Sequence, residues 1–261
     1  MQVGKLAGKV AIVTGAGRGI GRSIVLAFAE EGANIVVIAR NQQEIDTVSG
    51  EASAYGARSL SIRTDVSKSG EVDGMVRKAL AEFGRIDILV NNAAIPGPTD
   101  FISLMKTDDW EQTIDINLKG VFLCSRAVIP QMIKQNSGNI INISSGAGKK
   151  LKEDSFLSPT RSMVYSVSKA GVESFTLALA EQVSKFNINV NALRPGPTDT
   201  QFHSGSPPEK RARMRRPDDI RNVALFMACQ GSLGITGESI DAATWEKIYP
   251  KRNVGGEGGK W

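Results

Sequence analysis

The sequence predicts an α/β fold in which one parallel sheet is doubly wound, with helices on both faces. Three observations carry this expectation. Short apolar, β-branched runs alternate along the chain with longer amphipathic stretches. The first such run leads directly into a glycine-rich turn and then a helix. The 261 residues are 41% hydrophobic and 23% charged, which suits one domain of this class with a sizeable core.

Residues 9–14 form a continuous apolar run, the mark of a strand buried on both faces. Gly15-Ala16-Gly17-Arg18-Gly19-Ile20-Gly21 follows at once. Residues 22–31 then set Ile24, Ala27 and Phe28 on one helical face. Glycines between strand and helix let the backbone turn sharply and approach a pyrophosphate. The helix N-terminus adds N–H donors and a partial positive charge. Gly15, Gly19, Ile20 and Gly21 are therefore candidate cofactor residues. Residues 34–39 are the second strand. Where an NAD site places a carboxylate for the ribose hydroxyl, this chain has Arg40. Its planar guanidinium suits a 2′-phosphate, and Arg18 is a second partner. The expected cofactor is thus NADP rather than NAD.

Residues 59–64 read as the third strand, with Asp65-Val66 after it, and residues 68–83 as a helix. Residues 86–90 are the fourth strand. Asn91-Asn92-Ala93-Ala94 ends it where open α/β sheets bind ligands. A long helix is expected from about residue 109 to 135, bent at Pro130. It carries Asn117 among Ile114, Ile116, Leu118 and Val121. A core-facing asparagine must satisfy its amide, so capping or bonding backbone is its plain reading. Residues 139–143 are the fifth strand, ending in Ser144-Ser145-Gly146. Residues 187–193 are the sixth, followed by Arg194-Pro195-Gly196-Pro197-Thr198-Asp199-Thr200. Pro217-Asp218-Asp219 opens another helix, with its carboxylates where the dipole favours them. Ile235-Thr236-Gly237 is a turn, and residues 238–241 a last short strand.

The densest chemical signal is Tyr165-Ser166-Val167-Ser168-Lys169, which opens a helix continued by Val172, Phe175, Leu179 and Val183. Four residues apart, Tyr165 and Lys169 share one helical face. A fixed positive charge stabilises a phenolate and lowers a tyrosine's value from about 10. Tyr165 could then pass a proton to a carbonyl oxygen, or take one from an alcohol, near neutral pH.

Composition excludes several classes. The net charge is +5, with no long basic run, so nucleic acid is not an expected partner. No apolar run is long enough to span a bilayer, and residues 1–9 lack a signal-length segment. Cys124 and Cys229 sit in apolar helical patterns and read as buried thiols of a reducing cytoplasm. No metal site is expected.

Thr14-Gly15, Gly19-Ile20-Gly21, Asn91-Asn92-Ala93, Asn117, Ser145, Tyr165 with Lys169, Pro195-Gly196 to Thr200, and Ile235-Thr236-Gly237 occur in a characteristic order. It is the order of the short-chain dehydrogenase/reductase family, which the chain resembles over roughly residues 6–241. The resemblance implies a single Rossmann-type domain across residues 1–261, with a C-terminal tail from about 244. It implies an NAD(P) cofactor and hydride transfer between nicotinamide and a carbonyl or secondary alcohol. Tyr165 becomes the general acid/base. Lys169 binds the nicotinamide ribose and lowers the Tyr165 pKa. Ser145 orients the substrate oxygen, with Ser144 its rival, and Asn117 holds a water in the proton relay. Asp65, Val66, Asn92, Pro195, Gly196, Thr198 and Thr200 join Tyr165 and Lys169 at cofactor positions. A cytoplasmic homodimer or homotetramer is implied. Both a 3-oxoacyl thioester reductase and a general ketone or steroid-like dehydrogenase stay open. A non-catalytic cofactor-binding regulator is the alternative, which the retained Tyr165 and Lys169 disfavour.

Three departures from the family pattern stand out. Residues 146–164 carry an insertion, around residues 149–156. The lid segment, residues 201–213, looks short, and His203 reads as a solvent-exposed part of it. The usual Asp-Gly-Gly is Asp241-Ala242-Ala243, which puts the tetramer in doubt. Lys149, Lys150, Lys152, Lys210, Arg211, Arg213, Arg215 and Arg216 would ring the site with positive charge and favour an anionic substrate.

Overall fold

The computed structural model describes residues 4–148, 162–232 and 234–249. In chain order the regular elements are β1 (Val10–Thr14), α1 (Gly19–Glu30), β2 (Asn34–Ala39), α2 (Gln42–Ser53), β3 (Ser59–Arg63), α3 (Ser69–Phe83) and β4 (Ile88–Asn91). Then come α4 (Thr107–Ile114), α5 (Gly120–Gln135), β5 (Gly138–Ile143), α6 (Met163–Val183) and β6 (Ile188–Arg194). The chain goes on through α7 (Pro208–Arg211), α8 (Arg221–Ala228), β7 (Ser239–Asp241) and α9 (Trp245–Ile248).

All seven strands pair in parallel, in the order β3-β2-β1-β4-β5-β6-β7. The expected doubly wound sheet is therefore present. The chain starts in the middle of it, fills one side, and then crosses to the other. That reversal opens a crevice between the C-terminal ends of β1 and β4, the usual ligand position in such sheets.

The apolar runs follow from two-sided burial. Ala11 and Val13 of β1 point into a core shared with α1, α2 and α8. Val10 and Ile12 point the other way, into a core shared with α3, α5 and α6. A strand covered on both faces cannot alternate polar and apolar positions. Each fully buried Val or Ile among them gains about 1.5–3 kcal/mol by leaving water.

Three elements differ from the sequence expectation. The helix expected over residues 109–135 runs through Pro130 but is interrupted at Asp115–Lys119 by a π-helical turn. Asn117 lies in that wider turn, and its amide bonds the backbone at Ile95, as described below. The segment from Thr244 is also less of a tail than expected. Trp245 is buried, with its ring centroid 5.1 Å from that of Phe226, and Tyr249 packs on Phe226 at 5.5 Å. Helix α2 had no counterpart in the strand-and-helix reading, although Asn41 and Glu44 hold the N-cap and N3 spacing that marks a helix start. Among the described residues, no helix is long and apolar enough to cross a membrane.

Candidate active site

Six strand ends and two helix starts build the site. At the crevice, the Thr14 hydroxyl bridges β1 and β4. It donates to Val90 O at 3.3 Å and accepts from Asn92 N at 3.0 Å and Ala93 N at 3.1 Å. Asn92 Nδ2 returns the tie, donating to Thr14 O at 2.9 Å and Gly15 O at 3.0 Å. The glycine turn is thereby pressed onto the end of β4. Gly15 has φ +61°, and a Cβ on it would fall 2.8 Å from Ala93 Cα. A Cβ on Gly21 would fall 2.4 Å from Gly15 O. Neither position accepts a side chain, so the turn stays bare backbone ahead of the N-terminus of α1. Such a cradle fits a pyrophosphate. Ile20 lies in the first turn of α1, behind that cradle.

Beside this turn the site is framed by the ends of β2 and β3. Arg40 is exposed. Together with Asp65, Ser67, Lys68 and residues of α4, it lines a cleft of about 280 Å³. Burial alone would raise the Asp65 carboxyl. Hydrogen bonds from Ser67 and the charges of Arg40 and Lys68 outweigh it, and the group sits below its ordinary value. Val66 packs against Gly120 at the start of α5.

Helix α6 starts at Ser162, whose hydroxyl caps it by accepting from Tyr165 N at 3.2 Å. Tyr165 and Lys169 then face the end of β5. Ser145 and Tyr165 come together: the Ser145 hydroxyl favours the ionised form of the phenol, and it accepts from Ala147 N at 3.2 Å. Ser144 takes a different place. It is buried, and its hydroxyl is directed to Lys169 O at 3.5 Å. The geometry thus separates the two serines, with Ser145 at the phenol and Ser144 in the packing against α6.

Lys169 departs from expectation. Its Nζ donates to Ile143 O at 2.7 Å and lies 5.7 Å from the Tyr165 ring centroid. Burial depresses the ammonium to about 8, with Glu173 working in the opposite sense. Burial likewise raises the Tyr165 phenol, and the Ser145 hydroxyl recovers only part of that. The chain's own groups therefore leave Tyr165 protonated, not lowered by Lys169 as the spacing suggested. The reason is desolvation, which outweighs the charge of an ammonium turned toward a carbonyl.

Asn117 is fully buried. Its Oδ1 accepts from Ile95 N at 2.8 Å, and its Nδ2 donates to Ile95 O at 2.9 Å and Ser168 Oγ at 3.2 Å. Both donor hydrogens are used, which leaves one lone pair on Oδ1. The plain reading, an amide that bonds backbone, holds, with the Ser168 hydroxyl as a further partner.

Beyond β6, Pro195 is buried and Gly196 exposed. The chain folds back on itself as a flap. Thr198 pairs with Arg215, and the Asp199 carboxylate holds Arg211 Nη2 at 2.6 Å. Thr200 packs on the glycine turn, its Cγ2 3.1 Å from where a Cβ on Gly19 would lie. Phe202, not singled out in the sequence, lies over Tyr165 with centroids 5.3 Å apart. His203 packs edge-on to Phe202 and is part-buried rather than solvent-exposed. Burial and Lys210 lower its pKa. Lys149, Lys150, Lys152 and most of the inserted loop lie outside the described residues. Cys124 is buried as expected, its thiol pushed up to about 12, whereas Cys229 is only part-buried.

A glycine cradle at the sheet's switch point, with a serine–tyrosine pair beside it, defines a dinucleotide-dependent oxidoreductase. Comparison with known proteins narrows the class. Residues 9–211 match the family model described as short chain dehydrogenase. A 3-oxoacyl-[acyl-carrier-protein] reductase of Synechocystis sp. is 37% identical over 244 residues, spanning 90% of this chain and 96% of the relative. A metagenomic short-chain oxidoreductase solved in complex with NADP superposes with a TM-score of 0.76 at 33% identity, over 91% of this chain and 98% of that one. An NAD+-bound xylitol dehydrogenase gives a TM-score of 0.80 at 30% identity, over the same shares of the two chains. The chain belongs to the short-chain dehydrogenase/reductase family. It is an oxidoreductase that moves a hydride between a nicotinamide cofactor and a carbonyl or alcohol.

The buried lysine has a thermodynamic signature. Its folded value of about 8 lies below the ordinary 10.5. Below pH 8 both states hold the proton, and the folded state carries the burial cost. Between pH 8 and 10.5 the unfolded chain binds more protons, so stability rises with pH. Relative to Lys169→Met, the wild-type protein should gain on the order of 3 kcal/mol across that window in urea unfolding. Parallel pH profiles for the two proteins would show that the ammonium is not desolvated.

Proposed function

We propose that this protein is an NADP(H)-dependent carbonyl reductase, reversible as a secondary alcohol dehydrogenase, with Tyr165 as its general acid/base. The observation that carries the reading is the Ser145–Tyr165 hydroxyl pair beside buried Lys169 at the edge of the switch-point crevice. When bound, the nicotinamide supplies the hydride in reduction and accepts it in oxidation. The chain's own residues do the rest. Ser145 and Tyr165 can both donate to one carbonyl oxygen and stabilise the charge that develops on it. Tyr165 then gives up its proton, and its raised pKa keeps that proton available at neutral pH. Lys169 sits where it can meet a ribose hydroxyl and replenish the phenol. Asn117 has one lone pair left for a relay water, and it also holds the strand-end segment at Ile95.

The bare turn at Gly15, Gly19 and Gly21 would hold the pyrophosphate, with Asn92, Pro195, Gly196, Thr198 and Thr200 around the nicotinamide end. Asp65 and Val66 would flank the adenine. Arg40 and Arg18 favour the 2′-phosphate, since β2 ends without a carboxylate. A cytoplasmic homodimer or homotetramer belongs to the same reading. Exposed Phe122, Val167 and Leu177 on α5 and α6 support self-association, which the elution volume of the full chain tests.

For the substrate, the identity shared with a 3-oxoacyl-[acyl-carrier-protein] reductase favours an anionic 3-oxoacyl thioester. The flap bears on this. Arg211 and Arg216 are paired with Asp199 and Asp219, whereas Lys210, Arg213 and Arg215 have no ion pair among the described residues. They are left to attract an anion.

Three measurements follow. Tyr165→Phe should keep cofactor binding and lose at least about 10²-fold in kcat, the lower range for a lost proton donor. Turnover near the wild-type rate would remove Tyr165 from the mechanism. Arg40→Asp should weaken NADPH by about tenfold, the scale of a charge-assisted phosphate contact, and spare or improve NADH. An unchanged NADPH preference would make Arg40 a bystander. For a 3-oxoacyl thioester, kcat/KM should fall as salt rises and the Debye length shrinks from ~10 to ~3 Å, while that of a neutral ketone stays level. Equal salt profiles would argue against an anionic substrate.

A further inference from the structure

We infer that Glu44 is a specificity-determining residue of the cofactor site, one that holds Arg18 back from a 2′-phosphate and sets its own charge against that group. The inference rests on the reading that the glycine turn takes a nicotinamide dinucleotide with Arg18 and Arg40 at its adenosine end.

Glu44 stands in the first turn of α2, directly across from the glycine turn. Its backbone is pinned there, because Glu44 N donates to the Asn41 cap at 3.3 Å. Its Oε1 pairs with Arg18 Nη1 at 3.3 Å. Its Cβ and Oε2 each lie 2.8 Å from where a Cβ on Gly17 would be, so the carboxylate rests against bare backbone of the turn. Together with Gly17, Arg22, Gln43, Thr47 and Val48, it lines an open cleft of about 270 Å³. Arg22 cannot neutralise it. That guanidinium is committed to Glu51, through bonds of 2.7 and 2.9 Å.

The two cofactors meet this arrangement differently. A ribose 2′-hydroxyl is neutral and can donate to a carboxylate. A 2′-phosphate must draw Arg18 off Glu44 and then sit near an uncompensated negative charge. Arg40 and Glu44 therefore pull in opposite directions. Arg40 favours NADP, and Glu44 moves the ratio back toward NAD. The Arg18 side chain is 58% exposed and that of Glu44 32%, so solvent reduces the size of the effect but not its sign.

Binding, read by titration calorimetry with NADPH and NADH, tests this without turnover. The set is wild type, Glu44→Gln, Arg18→Ala and the double variant, with melting curves to confirm that each is folded. Glu44→Gln keeps the backbone cap and should tighten NADPH by about two- to fivefold, the scale of one exposed ion pair, while NADH stays level or weakens. In the Arg18→Ala background the part of that gain that comes from freeing Arg18 should vanish, leaving only the part that comes from the removed negative charge. The gain should also shrink between 0.05 and 0.5 M salt. No change with NADPH, or equal tightening of both cofactors, would overturn the assignment. Wild type binding NADH more tightly would sink the NADP preference proposed above. The Glu44→Gln shift toward NADPH would then still support this role for Glu44.

Discussion

The hydroxyl of Thr14 holds the sheet together at the one place where its topology would part it. With the chain starting in the middle, β1 and β4 send their connections to opposite sides. The crevice between them must be open to a ligand and yet rigid. Thr14 and Asn92 meet both needs with five hydrogen bonds that cross the crevice floor. Because they clamp Gly15 against Ala93, the first and last glycines of the cradle can be nothing else. The position of α1, and the direction of its free N–H groups, follow from that clamp.

Behind the crevice runs a second layer of buried polar contacts. Asn91 Nδ2 donates to Asn142 Oδ1 at 2.8 Å and to Ser125 Oγ at 3.2 Å, and Asn142 Nδ2 to Thr176 Oγ1 at 2.9 Å. These groups join β4, β5, α5 and α6. A satisfied buried network specifies one arrangement, since any slip of α6 would strand an amide in the core. Tyr165 and Lys169 ride on that helix, so their distance from Ser145 is set by polar contacts deeper in the fold. Lys169 is the costly member of this region. A buried ammonium is tolerated because Ile143 O takes one of its hydrogens, and its depressed pKa is the residue of an incomplete compensation.

Much of this was legible in the chain itself. The strands of the parallel sheet are nearly unbroken apolar runs, because two-sided burial leaves no room for alternation. The glycine turn and the Tyr165–Lys169 spacing are local, and each can be read within eight residues. Helix α2 was legible too, through Asn41 and Glu44, yet short polar helices give weak periodicity. Phe202 over Tyr165 could not be read, because it depends on how the flap folds back over the phenol. The π-turn at Asn117 was hidden for a similar reason. Asn117, within that turn, bonds the backbone at Ile95, twenty-two positions earlier, a contact that exists only once the chain has folded.

The sequence by itself determined the class of sheet, the place of the glycine turn between β1 and α1, and the setting of Tyr165 and Lys169 on one helix, since each rests on neighbours in the chain or on simple periodicity. Tertiary structure decided what the charges do. It turned Lys169 to a carbonyl rather than to the phenol, told Ser145 from Ser144, and paired Arg18 with Glu44. Electrostatic roles depend on burial and on partners distant in sequence. Neither is present until the chain has folded.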